Sequence, residues 1–152
     1  MPFSLFEPFP DFQFNKDECF LSGVKTFSPE EQIPVFPDWI RKRYGLDEKN
    51  FSMLGGHAVK YKELILPCCQ NVIANAISPL EHEIESAFTA GYESVKGIPE
   101  LRLFQWMAKL MYGILYNDIV YGIRLQKAKG KEFSLSPFLT ARFKNLHLML
   151  QS

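Results

Sequence analysis

The chain has little of what usually announces a function class. It has only three cysteines, and two of them, Cys68 and Cys69, are adjacent. Three cannot close a disulfide framework without leaving one over, so the expectation is a reducing, cytoplasmic setting. It has no excess of either charge: seventeen Lys+Arg balance seventeen Asp+Glu, for a formal net charge of zero. That excludes a polybasic binder that recruits nucleic acid through bulk charge alone. No long apolar run is free of charge. The longest, Leu101 to Ile123, carries Arg102, Gln105, Lys109, Asn117 and Asp118. A lysine near the centre argues against a membrane span and for a buried core helix. The N-terminus lacks the basic region and small-residue cleavage site of a signal peptide. Internal repeats and low-complexity runs are missing as well. What is plentiful is phenylalanine, fourteen residues, and proline, ten. With 152 residues, 47% hydrophobic and 22% charged, the chain reads as one globular domain with a core.

A serine–proline pair recurs at Ser28-Pro29, Ser78-Pro79 and Ser136-Pro137. Serine caps free helix amides, and proline at the first helical position loses nothing, because its N–H would be unpaired there anyway. Glu31 and Glu81 complete capping boxes at the first two. Pro34 and Pro37 limit the first start to a single turn. From Pro79 the apolar stripe Leu80, Ile84, Phe88 predicts an amphipathic helix ending near Gly91. A further helix is expected from about Pro99 to Gly122. It is apolar round most of its circumference, with Arg102, Gln105 and Lys109 on one polar strip, so most of it should be covered. A last helix from Pro137 places Leu139, Phe143, Leu146 and Leu150 on one face. It stops without a glycine cap, and the expectation is that the natural polypeptide continues. Asp38 to Tyr44 predicts a short helix closed by Gly45. His57 to Leu66 reads as one strand or hairpin arm after a Gly55-Gly56 loop. Residues 1–18, with phenylalanines among prolines, form an expected arm packed on the body.

Three segments in order carry a family resemblance. They are Cys19-Phe20-Leu21-Ser22-Gly23, Ile33-Pro34-Val35-Phe36-Pro37-Asp38-Trp39-Ile40, and Leu66-Pro67-Cys68-Cys69-Gln70-Asn71-Val72-Ile73, followed by Ser78-Pro79-Leu80-Glu81. This layout resembles the zinc-bearing HNH endonucleases over roughly residues 19–90. The resemblance implies a ββα-metal unit in which two cysteine pairs hold a structural zinc. A histidine on the first strand then activates water beside a divalent ion. Carried over by position, the general-base histidine falls at Pro34 and its acidic neighbour at Ile33. Proline offers no group for proton transfer. Cys19 and Cys69 remain as remnants of the zinc knuckles. Ser22 and Val72 stand where their partners would be, and two thiolates do not close a tetrahedral site. Packed aliphatics in place of ligands are physically reasonable, at roughly 25 cal/mol per Å² buried.

His57 is a candidate displaced catalytic histidine, although a histidine at a loop or strand start is usually structural or solvated. His82 and His147 sit on expected helices with no partner at ligand spacing. Cys68-Cys69 lack a local base, so buried thiols are expected. Arg41, Lys42 and Arg43 are candidate phosphate contacts, with a solvated helix face as the plainer reading. Arg124, Lys127, Lys129 and Lys131 form a second basic stretch, read first as a helix end and then a loop.

The expected fold is α+β and mostly helical: a small β-hairpin plus helix, the relic of a ββα-metal unit, packed with additional C-terminal helices. Residues 19–90 would be the HNH-like core and 91–152 a helical extension of the same domain. The expected role is a catalytically inactive HNH-like binding module of a bacterial kind, without cofactor or membrane, its partner nucleic acid or another protein. The alternatives are a divergent metal-dependent nuclease using His57, or a structural homodimer. An unrelated α-rich domain, in which the same segments are ordinary core text, is the plainer competitor.

Overall fold

The computed structural model describes residues 17–26, 28–53, 56–130 and 136–151. The expected arm, apart from Asp17 and Glu18, lies outside the described residues, as do Gly55 and Lys131. The fold is α+β and mostly helical, with two small antiparallel strand pairs and no helix long and apolar enough to cross a membrane among the described residues.

Strand β1 (Gln32–Pro34) leads into α1 (Asp38–Tyr44), where Asp38 opens the first turn and Arg41, Lys42 and Arg43 close the last. Those charges complement the helix dipole. Gly45 takes the left-handed conformation at φ 61° and ends the helix as expected. Strands β2 (Asn50–Ser52) and β3 (Ala58–Lys60) then form a hairpin.

The single arm expected over His57–Leu66 is instead divided. A 3-10 turn at Tyr61–Glu63 separates β3 from β4 (Ile65–Pro67), which pairs with β1 and not with the hairpin. Glu63 accepts the Lys60 amide at 3.3 Å. The Tyr61 ring packs on Phe36 and Phe51, so the chain turns inward at its most aromatic point.

The next helix begins earlier than its proline suggests. Segments α2 (Gln70–Val72), a π-turn at Ile73–Ile77 and α3 (Ser78–Ala90) run on as one rod. Ser78 is therefore no cap: its backbone is helical and its amide bonds Ile73 O, five residues back. Proline inside a helix removes a hydrogen bond and crowds the carbonyl four residues earlier. The widened turn before Pro79 absorbs that conflict. At the other two serine–proline pairs the expectation holds. Ser28 closes a single turn, and the Ser136 hydroxyl caps α6 (Pro137–Gln151) through the Leu139 amide at 3.2 Å.

After α4 (Tyr92–Lys96), α5 (Glu100–Ala128) runs past Gly122 to Lys129 and Gly130. The five residues after Ile123 are good helix formers, and nothing there breaks the hydrogen-bond ladder. α5 crosses the β1–β4 pair, and α6 packs along it. At the crossing, a Cβ on Gly113 would stand 2.5 Å from Val35 Cγ2, so glycine sets how closely helix and strand approach. Asn117 Nδ2 donates to Ile65 O at 2.9 Å, stitching α5 to β4.

The facing of α5 reverses the expectation. Its polar strip is buried: Lys109 is 1% exposed and Gln105 5%. Its apolar outer face is open, with Phe104 at 50% and Met107 and Met111 each at 49% exposed. The strip can turn inward because every group on it finds a partner. Arg102 pairs with Glu83 at 2.8 Å and donates to Gln105, which donates to Met149 O.

Candidate functional site at the cysteine turn

Cys19 opens a tight turn. Its amide donates to Val24 O at 2.7 Å, and the amide of Gly23, left-handed at φ 75°, donates back to Cys19 O. Phe20 N–H reaches Pro67 O at 2.9 Å and docks the turn on β4. Cys68 then follows β4, its amide held by Glu31 O, and Cys69 accepts from Ile73 as the first helical turn begins. This brings Ser22 Oγ to 3.5 Å from Cys69 Sγ across 47 positions of chain. All three cysteines are free thiols and all are buried. The Cys68 thiol donates to the Cys19 sulfur, which lowers the Cys19 pKa and raises that of Cys68, while burial pushes both up.

His147 closes the turn from the far side. Its Nε2 lies 3.0 Å from Phe20 O, and its Nδ1 lies 2.9 Å from Gln151 Nε2. An amide NH₂ can only donate, so Nδ1 accepts and Nε2–H donates to the carbonyl. Gln151 also donates to Leu21 O. The sequence offers His147 no acidic or cysteine partner at ligand spacing, but it does offer an amide. The signal was its spacing of four from Gln151, which places both side chains on one helix face.

The residues at positions 19, 22, 69 and 72 do not fit a tetrahedral zinc ion, since they offer two thiols, a hydroxyl and a valine. Among the described residues, no group of three or more His, Cys, Asp or Glu is placed to hold a metal.

The position that the resemblance gives to the general base is occupied otherwise. Pro34 O and Val35 O both accept from Lys109 Nζ, at 2.9 and 2.8 Å. The third ammonium proton goes to Glu81 Oε1 at 2.8 Å. Glu81 Oε2 in turn accepts from the indoles of Trp106 at 3.0 Å and Trp39 at 3.5 Å. Burial pushes the Lys109 pKa down and Glu81 opposes it. Glu81 thus spends its carboxylate on a buried cation, not on the capping box expected of it. With three donors filled, the ammonium of α5 ties α3 to the end of β1 and the residue after it, and has no proton direction left for a substrate.

His57 stacks on Tyr121 with ring centroids 3.5 Å apart, and both ring nitrogens are buried without a hydrogen-bond partner among the described residues. It is not brought to the cysteine turn or to Glu81. Arg41 makes three internal contacts: with Asp38, with Asp47 at 2.7 Å, and through Nε with Phe36 O at 3.0 Å. Lys42 and Arg43 are exposed beside it. A cavity lined by Asp17, Thr26, Ser28, Glu31 and Gln32 opens near the cysteine turn. Its acidic rim is the wrong sign for a phosphate backbone.

Comparison of the chain with protein-family models, with curated proteins and with solved structures finds no match.

Proposed function

We propose that this chain is a catalytically inactive HNH-like domain that serves as a binding module, with another protein as its partner. The observation that carries the reading is the contact of Ser22, in the tight turn that Cys19 opens, with Cys69 across 47 positions of chain. Val72 packs against the same core cluster. On this reading, a hydroxyl–thiol contact and a packed valine stand in for ligands. Pro34 offers no base, and the strand that carries it is sealed by Lys109. A protein partner is favoured over nucleic acid for two reasons. Arg41 spends its guanidinium inside the fold, and Phe104, Met107 and Met111 stand open on α5.

The test is to put the ligands back. A Ser22→Cys, Val72→Cys variant should take up about one zinc per chain and melt in a chelator-sensitive way, as four thiolates close the site. A folded variant that takes up no zinc would overturn the HNH-like reading. The unmodified chain should show no cleavage of DNA or RNA with Mg²⁺ or Mn²⁺ present. Chelator-sensitive cleavage that disappears in His57→Ala would establish the enzyme instead. A shift of DNA or RNA that weakens with salt would make nucleic acid the partner.

A further inference from the structure

The outer face of α5 carries a pattern that the binding-module reading leaves unused. Starting at Glu100, its positions advance by alternating steps of four and three: Phe104, Met107 and Met111, then, past Ile114 and Leu115, Asp118, Gly122 and Leu125, ending at Lys129. Steps of three and four keep side chains on one stripe, the spacing of a seam that packs against another helix. Ile114 and Leu115 at its middle are partly buried against the core, while toward its two ends the stripe stays open among the described residues. Phe104, Met107 and Met111 are about half exposed and Leu125 is 43% exposed. The residues pointing the opposite way, Lys109, Tyr112 and Tyr116, are the most buried on the helix.

The stripe is also its own complement. Reversed about the midpoint between Ile114 and Leu115, Phe104 meets Leu125 and bulky Met107 meets Gly122. Met111 meets Asp118, a polar position of the kind that fixes register in a helix seam. At the ends, Glu100 meets Lys129. Both are exposed, and neither makes an ion pair among the described residues. A parallel arrangement would set like charges side by side at each end. A self-complementary face of this kind is what a twofold, isologous interface requires.

The area fits a weak, concentration-dependent pair. With Leu101 and Tyr121 at its margins, the open face amounts to roughly 500 Å², within the range of a monomer's largest apolar patch, which is often functional. Two such faces bury at most on the order of 1,000 Å², the size of a weak or transient interface. At 29 residues, α5 supplies about 43 Å of length for the contact.

We infer that two copies of this chain pair through the outer faces of α5, antiparallel, about a twofold axis between Ile114 and Leu115. This deepens the proposed function by naming the partner protein as a second copy. It does not depend on the knuckle positions, so the zinc experiment and the one below fail separately.

The test is sedimentation equilibrium of the full chain from low micromolar to tenths of millimolar concentration. The expected mass is twice the 17.6 kDa of one chain. Met107→Glu with Met111→Glu should give a monomer with an unchanged circular dichroism spectrum. Glu100→Lys should weaken the dimer about tenfold, since the repulsion is introduced twice. Adding Lys129→Glu should bring it back to within about twofold, because the swapped pair attracts again. A monomer throughout the range overturns the inference. So does a dimer that survives the methionine changes, or one that the second charge swap does not restore.

Discussion

The two faces of α5 divide the physical chemistry of this protein between them. On the inner face, Lys109 is buried with all three protons donated, and Gly113 lets the helix touch Val35, just past β1. On the outer face, Phe104, Met107 and Met111 stand half in water. A composition-based reading sends the methionines in and the lysine out. The helix does the reverse, because hydrophobicity decides facing only when the polar alternative is unsatisfied. Glu81, two tryptophan indoles and two strand carbonyls make the inner face a complete polar site. Once complete, it fixes the rotation of the helix, and the apolar residues opposite are carried to the surface.

The largest effect is expected from breaking the inner face. Lys109→Ala leaves the Glu81 carboxylate buried with only the indoles, and it should cost about 3–5 kcal/mol in urea unfolding. Replacing both partners, Lys109→Met with Glu81→Leu, should cost clearly less than the single change, because no buried charge is then stranded. An equal or larger cost would mean that the indole and carbonyl bonds, not the ion pair, hold the face together. Gly113→Ala comes next, at about 1–3 kcal/mol, since the added methyl collides with Val35. Val35→Ala in the same chain should recover part of that loss. The smallest effect belongs to the outer face. Phe104→Gln should change the stability of the monomer by no more than about 0.5 kcal/mol, measured at concentrations too low for pairing. A larger loss would show that the outer face packs within its own chain.

Much of the framework was legible in the sequence, and the reason is local in each case. Gly45 ends α1 because only the left-handed conformation closes that turn. Ser136 caps α6 because its hydroxyl reaches the first free amides whatever lies around it. Pro79 was read as a helix start by the same local logic, and there the logic failed. Residues 70–78 already formed a helix, and a π-turn cost less than breaking it. The arm expected from His57 to Leu66 failed in a related way. Alternation marks a strand without saying with which strand it pairs, and β3 and β4 belong to different pairs.

The candidate site was legible only as positions. The approach of Ser22 to Cys69 depends on where β4 lands, and the His147 contact to Phe20 O on where α6 lands. Arg41, singled out for phosphate contact, turned out to be engaged by Asp38, Asp47 and a carbonyl, partners a charge count does not reveal.

By itself, then, the sequence determined the helices that open and close on capping chemistry and, through them, the mostly helical α+β class, because each of those helices follows from neighbours within a few residues. Tertiary structure alone decided that Lys109 goes inside and Met107 outside. That choice rests on Glu81, 28 positions away, and on Pro34 O, 75 positions away. A hydrogen bond across such a distance leaves no periodicity in the sequence to read.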